Sequence, residues 1–277
     1  MKYYDQFTGV SQADGYDAKT ALSLAVACNL AYEKKKTIMS STVEGWGYNF
    51  VGYKSIVKKP DIDTQYYLMS KGDDLVVVFR GSESLKDWFA NFQAVYDPGP
   101  FKNTKAHEGF QDALFPAVLS LANLIDSVLT KNTRLWLTGH SLGGALCSLC
   151  AGMLIENGYK VHGIYTFASP RPGNGAFQQG LNDKVKGPHY RVVNSGDIVP
   201  HVPPEPFYSH PGDRIILKDQ VRENTDASWL SQRLEALNYF IANTANKFDV
   251  ADNHRLSADD ESYIPRLIKD LKRADHN

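Results

Sequence analysis

Cysteine is scarce in this sequence: Cys28, Cys147 and Cys150 are the whole set. Three thiols cannot make a disulfide framework, and the last two stand three apart in what reads as one helix, which suits a reducing compartment. Charge of one sign is not in excess either. With 30 Lys+Arg against 31 Asp+Glu and a formal charge of −1, the chain has no electrostatic footprint for a phosphate backbone, so nucleic acid is not an expected partner. Long apolar runs are also missing. The most apolar early stretch, Leu22 to Tyr32, is broken by Asn29 and falls far short of the ~20 residues needed to cross a bilayer, so no transmembrane segment is expected. Met1 to Ser11 has no apolar core of the kind a signal peptide needs. Together these absences favour a soluble, cytoplasmic protein, with secretion open only to a chain whose leader has been removed. No H-E-x-x-H, paired C-x-x-C, P-loop or G-x-G-x-x-G occurs, so no cofactor and no metal is expected.

What is present is enough apolar residue to build a sizeable core. Hydrophobic residues are 43% and charged residues 22% of 277, which removes disorder, collagen and coiled coil as whole-chain readings. The length allows one large domain or two small ones, and no repeat, linker or low-complexity tract divides it, so one domain over 1–277 is the expectation. Residues Ala18 to Glu33 place Leu22, Ala25, Cys28 or Asn29, and Tyr32 at helical spacing. Thr64 to Ser70 and Asp74 to Arg80 are Tyr- and Val-rich runs separated by Lys71-Gly72-Asp73, a β-hairpin signal. A helix from Gln111 to Leu129, a strand Arg134 to Thr138, a helix Ala145 to Glu156 and a strand Val161 to Ala168 follow. Strand, helix, strand in that order predicts a parallel βαβ crossover, hence an α/β fold with an antiparallel N-terminal part. Tyr190 to Asn194 and Arg214 to Lys218 are further short strands, and Leu230, Leu234, Leu237, Ile241 and Phe248 have helical spacing. Ser257 with Asp260 makes a capping box for a last helix to about Leu271. The Lys34-Lys35-Lys36 run reads as a solvated helix end.

The sharpest signal is Gly139-His140-Ser141-Leu142-Gly143, a G-x-S-x-G pentapeptide between an expected strand and an expected helix. A serine hydroxyl is a poor nucleophile at neutral pH, and this tight turn exposes it where only glycines tolerate the crowding beside it. The following helix aims its free amides, beginning with Leu142, at a developing oxyanion. In this topology the nucleophile precedes an acid and then a histidine, each on a loop after a strand. Asp197 follows the strand ending at Asn194. Of the later histidines, His201 shares the acid's own loop, His210 precedes the last strand, and His276 sits in the terminal tail. His254 remains, between the last strand and the last helix. Ser82, in Phe79-Arg80-Gly81-Ser82 after the Val-rich strand, stands where the fold supplies a second oxyanion donor.

Beyond Ser82 the sequence puts Leu85, Trp88 or Phe89, Phe92 and Val95 on one face of a short helix, bounded by Gly81 and by Pro98-Gly99-Pro100. Such a stripe reads either as core or, next to an oxyanion residue, as a mobile lid over about 83–97. Cys147 and Cys150, on the helix behind the serine, read as small core residues rather than metal ligands.

These residues resemble the class 3 lipases, fungal-type triacylglycerol lipases on an α/β-hydrolase fold. The resemblance runs through Gly139 to Leu146, Phe79 to Ser82, Phe167 to Asn174 and Asn194 to Pro200, and covers about Ala18 to Tyr263. It implies a central, mostly parallel sheet with helices on both faces and a short helical lid. It implies Ser141 as nucleophile, Asp197 as acid, His254 as base, Ser82 and Leu142 as oxyanion donors, and Trp88 as part of the lid. The absence of disulfides and of a leader sets this chain apart from secreted fungal members. The segment 221–251 matches no family pattern and precedes the base, where a helix would wall the acyl pocket. The expected partner is therefore a lipid or small ester, met at a lipid–water interface if the lid reading holds. A short-chain, phospholipid or aryl-ester esterase on the same three residues, and a lipid-binding protein without turnover, are the competing readings.

Overall fold

Alternation decides the centre of the molecule. The computed structural model describes residues 2–59, 62–82, 94–217 and 252–274, and within them the chain runs β1 (Asn49–Lys59), β2 (Ile62–Lys71), β3 (Asp74–Phe79), β4 (Tyr96–Pro98), β5 (Lys105–His107), β6 (Arg134–His140), β7 (Val161–Phe167), β8 (His189–Asn194) and β9 (Asp213–Leu217). The helices are α1 (Ala18–Leu30), α2 (Lys36–Gly45), α3 (Glu108–Asp126), α4 (Leu142–Glu156), α5 (Gly175–Lys184) and α6 (Tyr263–Ala274). In β3, Leu75, Val77 and Phe79 pack into one buried cluster while Val76 and Val78 pack into another. Successive side chains of a strand point to opposite faces, so the sheet must be covered on both. Helices α3, α4 and α5 cover the first face; α1, α2 and α6 cover the second.

The seven-stranded sheet has the order β1-β2-β3-β6-β7-β8-β9, antiparallel through β3 and parallel from β3 onward. The pairing of β3 with β6 begins at Asp74 opposite Arg134. There the Asp74 carboxylate accepts two guanidinium bonds at 2.8 and 2.9 Å and the Trp136 indole N–H at 2.9 Å. The expected hairpin and the βαβ crossover through α4 are both present. Helix α4 is buried on every side from Gly143 to Leu154, and Cys147 and Cys150 lie in the core, their thiols pushed upward by burial.

The first helix stops short of the expected Glu33: α1 ends at Leu30, and the exposed lysine run is the solvated start of α2, with Lys35 and Lys36 opening it. Neither α2 nor β1 was anticipated. The capping box also fails, because Ser257 Oγ instead donates to Asn29 Oδ1 at 3.0 Å, and Ser262 Oγ accepts from the amides of Ala258 and Asp259. That closed turn delays α6 to Tyr263, which leaves Pro265 within the first helical turn, where its missing N–H costs no bond. The helix-spaced residues from Leu230 to Phe248 lie outside the described residues. No described helix is long and apolar enough to cross a membrane.

Candidate active site

The C-terminal end of β6 runs straight into a turn held by close contacts. A Cβ on Gly139 would lie 2.1 Å from the Gly143 carbonyl oxygen, and one on Gly143 would lie 2.5 Å from the Phe79 carbonyl oxygen. Glycine is therefore required at both positions. Between them Ser141 adopts φ 58 and ψ −132, a conformation that costs a non-glycine residue roughly 1–3 kcal/mol and persists only where the surroundings enforce it. The enforcing contacts are the Ser141 amide on the Phe167 carbonyl at 2.9 Å and the Gly144 amide on the Ser141 carbonyl at 2.8 Å. The neighbouring strand end is strained too, with Ala168 at φ 52.

Ser141 is 1% exposed, and its hydroxyl finds no hydrogen-bond partner among the described residues. Leu142 opens α4, so its N–H has no partner inside the helix. The loop after β3 comes alongside: a Cβ on Gly81 would lie 3.1 Å from Ser141 Cβ and 2.6 Å from the His140 carbonyl oxygen. Ser82 follows directly on that loop.

Asp197 and His254 meet in the interior. The Nδ1–H of His254 faces both carboxylate oxygens of Asp197 at 3.1 Å, with both side chains almost wholly buried. The carboxylate also accepts the Val199 amide at 3.0 Å and the Tyr263 hydroxyl at 2.7 Å. A buried ion needs all its lone pairs occupied to be tolerated, and these donors occupy them. On the far side of the ring, His254 Nε2 is buried without a partner among the described residues. An oriented imidazole with a vacant basic nitrogen can take a proton, and the imidazolium formed would be held by the carboxylate behind it.

His254 is also gripped through its backbone. The His140 Nε2–H donates to the His254 carbonyl at 2.8 Å, the two rings lie 4.8 Å apart, and the Tyr32 hydroxyl donates to His140 Nδ1 at 2.9 Å. Asn194 Nδ2 donates to the Asn253 and Glu261 carbonyls at 2.7 and 3.1 Å, closing the loop around the ring.

Of the other candidate histidines, His276 lies outside the described residues and His210 is engaged elsewhere. His210 Nε2–H donates to the Pro200 carbonyl at 2.7 Å, and burial together with Arg191 holds its imidazole well below the ordinary range. His201 is buried in the short turn Val199–His201. Among the stripe residues, Leu85, Trp88, Phe89 and Phe92 lie outside the described residues. Val95 is exposed, and its carbonyl accepts the Tyr208 hydroxyl at 3.1 Å. Tyr32, His140, Asn194 and Tyr263 were not singled out by sequence reasoning. Only the position of His140, next to the serine, offered a signal. Among the described residues no three His, Cys, Asp or Glu side chains group as a metal ion would need.

Residues 76–207 match the family described as lipase (class 3). The chain is similar to a lipase of Rhizomucor miehei, 36% identical over 170 residues that are 56% of this chain and 46% of that protein. It is also similar to a secreted mono- and diacylglycerol lipase of Malassezia globosa, 34% identical over 166 residues that are 54% of each. The chain thus spans about half the length of the curated relatives it matches. In fold it is similar to the triacylglyceride lipase of Rhizomucor miehei, 24% identical over 79% of this chain and 92% of that one, with a TM-score of 0.63. Lipase II from Rhizopus niveus is likewise similar in fold, at 24% identity over 74% of this chain and 83% of that one, with a TM-score of 0.62.

Proposed function

Because residues 76–207 match the class 3 lipase family and the chain is similar to fungal lipases, we propose that it is a serine hydrolase that cleaves carboxylic esters of lipids through an acyl-enzyme on Ser141. The observation that carries the reading is the buried Asp197–His254 pair, whose histidine backbone is bonded to His140 beside Ser141, with His254 Nε2 and Ser141 Oγ both buried and without a partner among the described residues. Buried polar atoms are almost always bonded, and a hydroxyl and an imidazole nitrogen without partners on the two residues flanking His140 in this network are what a substrate and its proton would use.

In this mechanism Ser141 Oγ attacks the ester carbonyl as its proton passes to His254 Nε2. Negative charge develops on the carbonyl oxygen, where the Leu142 amide and the amide and hydroxyl of Ser82 stabilise it. The His254 imidazolium returns the proton to the leaving alcohol, and Asp197 keeps Nδ1 protonated throughout. Water then attacks the acyl-enzyme with His254 again as base, releasing the acid and restoring Ser141. The names of the relatives support glycerides as the substrate class. The apolar stripe Leu85, Trp88, Phe89, Phe92 and Val95 supports a lid that opens at a lipid–water interface.

The test is a fluorophosphonate reaction followed by turnover of an ester series from acetate to oleate, monomeric and emulsified. Stoichiometric labelling of Ser141 and hydrolysis of the long-chain esters are expected. A protein that folds but neither labels nor hydrolyses any member is a lipid-binding protein instead. Turnover confined to the shortest monomeric esters moves the substrate class to soluble esters.

A further inference from the structure

We infer that Tyr32 and His140 are positioning residues for this reaction, a side-chain relay that fixes the backbone of His254 relative to Ser141. The inference rests on the proposed Ser141–His254–Asp197 mechanism, but it concerns two groups that touch neither Asp197 nor an attacking atom.

The ring of His140 has no surface role. It is 5% exposed at the end of β6, and burial together with the nearby His254 ring holds its imidazole well below the ordinary range. A neutral imidazole carries one N–H. That proton must sit on Nε2, because the atom 2.8 Å away is the His254 carbonyl oxygen, which can only accept. Nδ1 is then a lone pair and needs a donor, and the Tyr32 hydroxyl at 2.9 Å is that donor. The tautomer of His140 is thus dictated from one side by a phenol and from the other by the carbonyl of the base.

Each neighbour of the relay is constrained in turn. The Tyr32 ring lies under the Arg80 guanidinium at 5.5 Å, and Arg80 Nη1 donates to Gln65 Oε1 at 2.6 Å. A Cβ on Gly81 would lie 2.4 Å from the Tyr32 oxygen, so the oxyanion loop passes directly over the phenol. The three loops that carry Ser82, Ser141 and His254 therefore converge on one phenol and one imidazole. His254 needs such a tie. Its bond to Asp197 orients the ring and the Asn194 bonds hold the flanking backbone, whereas the His140 bond ties the His254 carbonyl itself to the residue beside Ser141. Errors of about 1 Å in such geometry can cost on the order of a hundredfold in rate.

The experiment measures kcat and KM on a soluble p-nitrophenyl ester, and the rate of fluorophosphonate labelling, for wild type, Tyr32→Phe, His140→Gln, His140→Leu and the Tyr32→Phe/His140→Leu double variant. Glutamine and leucine have similar volumes, but only glutamine keeps an N–H for the His254 carbonyl. His140→Leu is expected to lose roughly ten- to a hundredfold in kcat and labelling rate with KM nearly unchanged, and His140→Gln to recover most of it. The double variant should be no slower than His140→Leu alone, since both changes break one relay. Equal losses in the Gln and Leu variants, or losses that multiply in the double variant, would overturn the inference. If His140→Leu does not fold, the remaining pair decides: Tyr32→Phe must lower kcat severalfold without raising KM, and a wild-type kcat in that variant overturns the relay. Failure of wild type to label or turn over would remove the proposed mechanism itself, an outcome distinct from active variants that match an active wild type.

Discussion

The hydroxyl of Tyr263 donates to Asp197 Oδ2 at 2.7 Å while accepting the Asn194 amide at 3.0 Å. One phenol at the start of α6 thus joins the end of β8 to the carboxylate behind His254. In Tyr263→Phe both the amide and the carboxylate lose a buried partner, which should cost about 1–3 kcal/mol of stability. At about 2–4 °C per kcal/mol for a chain of this size, the melting temperature should fall by several degrees. If the carboxylate also loses its orientation, kcat falls by about tenfold, which corresponds to about 1.4 kcal/mol in the barrier. A variant melting with wild type would show that the phenol contributes nothing to holding the acid loop.

The backbone at Ser141 gives a second expectation. At φ 58 both serine and alanine are strained, whereas glycine is not. Ser141→Ala and Ser141→Gly should both lack turnover, but the glycine variant should be the more stable by roughly 1–3 kcal/mol. Chemical denaturation of the pair measures this directly, and equal midpoints would mean that the turn relaxes when the hydroxyl is removed.

The buried histidines predict the pH dependence of folding. His140 and His210 are both held well below the ordinary histidine range, chiefly by burial, so in acid the unfolded chain binds protons that the folded chain refuses. Their stabilising effect is complete above the unfolded value near pH 6.5 and is lost as pH falls below it towards their folded values. Each contributes a slope of up to about 1.4 kcal/mol per pH unit in that window. Melting temperature should therefore drop as pH falls below about 6.5, and His210→Asn should reduce the slope. A flat profile would mean that both rings are protonated in the folded protein.

The stripe between Ser82 and Pro98 predicts the response to an interface. Moving a large apolar side chain from buried to exposed costs about 1.5–3 kcal/mol, and a lipid surface removes that cost, shifting a closed lid towards open. Turnover of a medium-chain ester should jump as substrate passes its solubility limit, and Trp88→Ser with Phe92→Ser should flatten the jump. A smooth hyperbola through that limit in wild type would mean that the stripe is core or the lid already stands open.

Elements whose signals are local could be read from the residues alone. Tyr- and Val-rich runs on either side of Lys71-Gly72-Asp73 marked the β2–β3 hairpin, helical spacing marked α1 and α3, and the order strand, G-x-S-x-G, helix placed Ser141 at a tight turn, because residue composition, periodicity and glycine crowding act over a few residues. Helix α2 and strand β1 escaped because Lys34-Lys35-Lys36 blurs a boundary that is set by packing of Met39 and Val43 on the core. Chain order singled out Asp197 and His254, but only the fold brings them within 3.1 Å. Tyr32 reaches His140 across 108 residues and Tyr263 reaches Asp197 across 66. No periodicity records such partners: they depend on how β6, β8 and α6 stack around α1, and the hydrogen bonds form only once burial has excluded the water that would otherwise satisfy each group.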